Sequence, residues 1–197
     1  MMHDFIPDPS QVRQIQENYL NRQRPVVLIG PMAAGKSYIG WHLARFYGYR
    51  FIDADQYFTR RYGPIPDFFE KYGQADFRAA EAKVVAEVLE SSSCRNSIFS
   101  LGGGAPMTDS VAELLQEETV IYIKVDLETV RPRIEASTTR PLLQPDPVQR
   151  WQEITRARTG RYEQLASYTL DAGSHRTISA MTAEIQRFII QTRKGAG

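Results

Sequence analysis

The chain has 197 residues, enough for one domain with a full core, and its apolar and charged fractions are ordinary for a soluble globular protein. A net charge of +1 leaves no footprint for a polyanion, so nucleic acid is not an expected partner. The single cysteine, Cys94, excludes an internal disulfide and a cysteine-based zinc site. It suits a reducing cytoplasm, the expected location, as does a start (MMHDFIPDPS) without signal-peptide character in a chain with no bilayer-spanning apolar run.

Residues 1–24 read as an N-terminal extension. Pro7 and Pro9 break its first stretch, and Ser10 caps an expected helix to about Gln23 with Val12, Ile15, Tyr19 and Leu20 on one face. Residues 25–197 read as a single domain. Pro25 to Ile29 is an apolar, β-branched run suited to a strand buried on both faces. The next eight residues, Gly30-Pro31-Met32-Ala33-Ala34-Gly35-Lys36-Ser37, fit G-x-x-x-x-G-K-[ST] without a gap. In that pattern the glycines let backbone turn and approach an anion, and loop N–H groups surround nucleotide phosphates at the positive end of a helix. Lys36 then reaches the β- and γ-phosphates, and the Ser37 hydroxyl is a ligand to Mg²⁺. A Gly-rich turn that happens to end in Lys-Ser is the alternative, but the strand before and the helix to about Tyr47 after it are the context the motif needs.

Arg50 to Asp53 reads as a second strand running out into Ala54 and Asp55. In an extended segment Asp53 and Asp55 leave the same side, one to hold Mg²⁺ and one to orient or deprotonate a hydroxyl. An acidic strand end facing solvent is the competing account. A short helix near Pro66 to Tyr72 precedes a longer one, Asp76 to Glu90, with Phe77, Ala80, Val84 and Val88 inward. On it Arg78 and Glu81 stand three apart; a surface ion pair and an arginine aimed at a substrate carboxylate are both open.

Ser97 to Leu101 is a third strand, ending in Gly102-Gly103-Gly104, a run that admits close approach of a ligand. A helix over about Ser110 to Glu117, a strand from Val120 to Val125 and a helix from Leu127 to Ala136 follow. Ser137 to Pro147, with three prolines, reads as a mobile loop in which Arg140 could close over a transferring phosphate. A helix from Val148 to Leu165, a strand from Tyr168 to Asp171 and a helix from Ser179 to Thr192 end the fold. Trp41 and Trp151 read as packing residues, and the three histidines lack metal-ligand spacing. Strands alternating with helices predict an α/β fold with a parallel sheet covered on both faces, its ligands at the carboxyl ends of the strands.

GPMAAGKS, FIDAD, the FRAAE around Arg78, SLGGGA, TRPLL and RARTGRY stand in one order, and together they resemble the shikimate kinase family of the nucleoside-monophosphate-kinase-like P-loop group, over about Pro25 to Ile190. The resemblance implies a three-layer α/β/α fold with five parallel strands in the order 2-3-1-4-5, a substrate-binding segment over about 55–82 and a lid over about 136–150. It implies phosphorylation of the 3-hydroxyl of shikimate with ATP and Mg²⁺. Lys36 and Ser37 match the family's phosphate and Mg²⁺ residues, Asp53 the carboxylate holding the ion through water, and Asp55 the aspartate at the reacting hydroxyl. Arg78, Gly102, Gly103, Gly104 and Arg158 match shikimate-binding groups; Arg140 matches the lid arginine and Arg133 the one against adenine. Asp76 and Phe77 fall in the substrate segment, and Glu81 could brace the arginines. Tyr38, in the nucleotide-binding set beside the loop, replaces a small threonine, and Thr159-Gly160-Arg161 replaces Ala-Pro-Leu. A monomer is expected. The alternatives are a kinase for another hydroxy acid or cyclitol, and a non-catalytic nucleotide-binding module.

Overall fold

The computed structural model describes residues 23–136 and 143–194. The expected N-terminal helix and Arg140 lie outside the described residues. Five parallel strands form one sheet: β1 (Val26–Ile29), β2 (Arg50–Asp53), β3 (Ser97–Ser100), β4 (Thr119–Lys124) and β5 (Tyr168–Asp171), in the order β2-β3-β1-β4-β5. Among the described residues seven helices connect and cover them: α1 (Lys36–Tyr47), α2 (Ala54–Tyr62), α3 (Ile65–Glu90), α4 (Asp109–Leu115), α5 (Leu127–Glu135), α6 (Pro147–Leu165) and α7 (Ile178–Lys194). Strand order and strand bounds agree with the sequence reading to within a residue.

The central strand explains why both faces must be covered. Every residue of β1 is buried, and its side chains divide between two cores. Val26 and Leu28 meet Ile39 and Leu43 of α1 and Ile185 and Ile189 of α7; Val27 and Ile29 meet Val85 and Leu89 of α3 and Val111 of α4. Alternation along one strand thus feeds two layers of helices. A third cluster, Phe58, Phe77, Ala80 and Val84, ties α2 to α3.

Two helices differ in detail from what their sequences suggest. The inward face of α1 is Ile39, Gly40, Leu43 and Ala44, while Tyr38, Trp41, Phe46 and Tyr47 are exposed. Trp41 is therefore not a core residue; its ring sits edge-on to His42 with Arg45 over it. The two helices expected between Pro66 and Glu90 are both present within α3, parted at Gly73, whose φ of 81° and ψ of −179° interrupt the helical path. Glycine alone adopts that backbone without strain, so the chain can change direction there and continue. That bend precedes Arg78 by little more than one turn.

Candidate active site

Everything with chemical potential lies at the carboxyl edge of the sheet. Gly30 leaves β1 at φ 144°, where a Cβ would stand 2.6 Å from the Ile123 carbonyl of β4, so no other residue fits. Ala33 at φ 63° and Gly35 at φ 88° continue a curled path that turns successive N–H groups toward one centre, at the N-terminus of α1. The Lys36 ammonium donates to the Gly30 and Pro31 carbonyls at 2.9 and 3.0 Å, and Arg133 donates to the Ala33 carbonyl at 2.8 Å. Burial lowers the Lys36 pKa to about 8, although Asp55 and Asp53 oppose the shift.

Asp53 and Asp55 come together, but not by the expected strand geometry. Asp53 ends β2 and caps α2, accepting from the Asp55 and Gln56 N–H groups at 3.1 and 3.2 Å, so Asp55 lies in the first helical turn. The other Asp53 oxygen accepts from the Ser37 hydroxyl at 2.8 Å. Asp55 faces the cleft. Withdrawal of water from its carboxyl, then the Asp53 charge, push its pKa above the ordinary aspartate value, against the pull of Lys36 and Arg78.

Across the cleft, Arg78 holds Glu81 at 2.5 Å, so the ion pair forms, and it faces the glycine run. A Cβ on Gly102 would lie 3.3 Å from both Asp55 Oδ1 and Glu81 Oε1, and one on Gly104 would overlap the Arg78 guanidinium. A Cβ on Gly103 would lie 3.3 Å from the Gly30 carbonyl and 3.6 Å from an Arg158 nitrogen. The glycines are the seam where phosphate loop, carboxylate and arginines meet. Burial pushes the Glu81 pKa up while Arg78 opposes it. Phe77 is buried beneath, with the Arg78 guanidinium 5.1 Å from its ring centre. Asp76 is exposed.

The resulting cleft of about 590 Å³ is lined by Lys36, Ser37, Asp53, Asp55, Gly102 and Gly103 among others. A second hollow of about 260 Å³ adjoins it, between Gly35, Arg133 and the Gly173–Arg176 turn, with Tyr38 bordering both. Two residues, Trp151 and Tyr162, make direct bonds to these loops that the sequence reading, in which Trp151 is a packing residue, does not give. The Tyr162 hydroxyl donates to the Gly103 carbonyl at 2.6 Å, and Trp151 Nε1 donates to the Met32 carbonyl at 2.9 Å. Their partners are 59 and 119 residues away, beyond any local pattern.

The family model described as shikimate kinase matches residues 32–190. A shikimate kinase of Methylococcus capsulatus is 35% identical over 172 residues, covering 86% of this chain and 94% of that one. One of Corynebacterium glutamicum is 39% identical over 147 residues, 74% of this chain and 85% of that one. Among solved structures, the shikimate kinase of Acinetobacter baumannii in complex with shikimate superposes with a TM-score of 0.77 at 30% identity, covering 89% of this chain and 97% of that one.

Proposed function

The chain belongs to the shikimate kinase family, and from that premise we propose how its cleft moves the γ-phosphoryl group of ATP to the 3-hydroxyl of shikimate. The observation that carries the assignment of roles is the seam at Gly102–Gly103, with the phosphate loop on one side and Asp55 and the Arg78–Glu81 pair on the other. ATP lies with its phosphates in the loop from Gly30 to Ser37 and its base in the hollow beside Arg133 and Tyr38. Shikimate lies against Gly102, Gly103 and Gly104, its carboxylate between Arg78 and Arg158.

Asp55 orients the acceptor hydroxyl and takes its proton as the oxygen–phosphorus bond forms and the bond to ADP breaks. Lys36 exchanges its loop carbonyls for phosphate oxygens, and Arg140 approaches with the lid. Ser37 and Asp53 fit a Mg²⁺ ion, being hard oxygen donors already in hydrogen-bond contact, and they would be the residues that hold it. A Mg²⁺ ion held there would supply positive charge to offset that of the phosphates. The same reading takes residues 25–197 as a single kinase domain, with substrate segment 55–82 and lid 136–150, working as a cytoplasmic monomer. No helix among the described residues is long and apolar enough to cross a membrane.

ADP release from Mg-ATP with shikimate, quinate or gluconate tests the substrate. Turnover with shikimate alone is the expected result; preference for another acceptor would move attention to Tyr38 and Thr159–Arg161.

The Lys36 ammonium gives a pH prediction. Arriving phosphates favour its charged form, so ATP binding should take up a proton when the free enzyme has lost it. Affinity should therefore be level below pH 8 and weaken above it, by up to about tenfold per pH unit. Calorimetry in two buffers of different ionisation heat reads the uptake directly, and a pH-independent affinity between 7 and 9.5 would refute the assignment.

A further inference from the structure

Four consecutive carbonyls of the phosphate loop are tied to donors. Lys36 holds Gly30 and Pro31, Trp151 holds Met32, and Arg133 holds Ala33. A carbonyl swung toward the phosphates would set its negative end against them, so what holds these groups outward keeps the N–H groups inward. Lys36 and Arg133 both have a second task toward the nucleotide. Trp151 has one N–H, a buried ring and no ligand, so its bond can persist through the cycle.

Trp151 and Tyr162 lie on the same helix, α6, about three turns apart. They therefore share a face and stand roughly 16 Å apart along the axis. Both are buried, both donate to a backbone carbonyl, and the two carbonyls belong to two loops that meet at the cleft: Met32 in the phosphate loop and Gly103 in the glycine run, where a Cβ would lie 3.5 Å from the Met32 nitrogen. Arg158 lies between them on the same helix. We propose that α6 is a two-point spacer, in which Trp151 and Tyr162 are positioning residues that fix the phosphate-donor loop relative to the acceptor loop. The proposal rests on the ligand placement given above.

Each contact should then act on its own ligand, and both should act on transfer. Trp151→Phe keeps an aromatic ring in the core and removes the donor; Tyr162→Phe removes only the hydroxyl. We expect Trp151→Phe to weaken ADP binding by roughly five- to tenfold, with shikimate affinity within twofold of wild type, and Tyr162→Phe to do the reverse. Both should lower kcat. Trp41 is the other tryptophan; it is exposed on α1 and lines neither hollow. In a Trp41→Phe background, Trp151 emission should change with Mg-ADP and stay unchanged with shikimate. Equal losses of both affinities in each variant, accompanied by a lower Tm, would overturn the proposal in favour of packing alone; unaltered affinities and kcat would overturn it as well. Wild-type turnover is measured alongside. Should the wild type reject shikimate, the substrate reading falls, and the ADP response of Trp151→Phe alone upholds or overturns the nucleotide half.

Discussion

Asp55→Asn should leave a folded enzyme that binds both substrates and scarcely turns over, with kcat reduced by roughly 10²–10⁴. The side chain keeps its size and its place in the first turn of α2, so the loss isolates the carboxylate's capacity to accept a proton. Shikimate and ADP affinities measured by calorimetry should stay within a few-fold of wild type. A kcat within tenfold of wild type would remove Asp55 from the chemistry and leave it a binding group. The wild-type pH profile makes a parallel statement. If Asp55 takes the proton as proposed, transfer needs its ionised carboxylate, and the rate should fall as pH falls through the Asp55 pKa, which burial and the Asp53 charge raise above the ordinary aspartate value.

Arg158→Ala should produce the second large effect, on binding rather than chemistry. The side chain is partly buried against Gly103, on the helix turn that also presents Tyr162. Removing one partner of a desolvated charge pair costs about 2–5 kcal/mol, so shikimate affinity should fall by roughly thirty-fold or more. ATP affinity should hold, because the phosphate loop is built from β1 and α1. Arg158→Lys should recover only part of the loss, since an ammonium cannot make two parallel bonds to a carboxylate. Equal losses of both affinities would mean that Arg158 supports the cleft rather than contacting the substrate.

Much of this was legible because it is local. The run Val26–Ile29, the eight-residue loop and the helix start follow from neighbouring residues, and the glycine run marks itself by composition. The site of Asp55 was misjudged for an equally local reason. The Asp-Ala-Asp sequence alternates as a strand does, yet an aspartate followed by another acid two positions on is also how a helix begins, and the cap prevailed. Trp41, read as a packing residue, packs on the surface of its own helix rather than in the core, because small Gly40 and Ala44 take the inward face. Trp151 reads from the sequence as a packing residue and is one, but its bond to Met32 and that of Tyr162 to Gly103 are not legible there, since they depend on where a distant helix docks.

The strand order carries a consequence for synthesis. β1 is made first among the strands yet sits in the centre of the sheet, and its partners β3 and β4 are made much later. A nascent chain therefore holds β1 unpaired until Ile98–Ser100 have left the ribosome, and paired on one side only until Thr119–Tyr122 follow, a non-local closure of the kind that folds slowly and is exposed to aggregation meanwhile. Gly30 abuts Ile123, and Met32 is secured by a helix made later still. The nucleotide site is thus the earliest segment of the domain to be translated and among the last to be assembled. ATP can stabilise this protein only after nearly all of it exists.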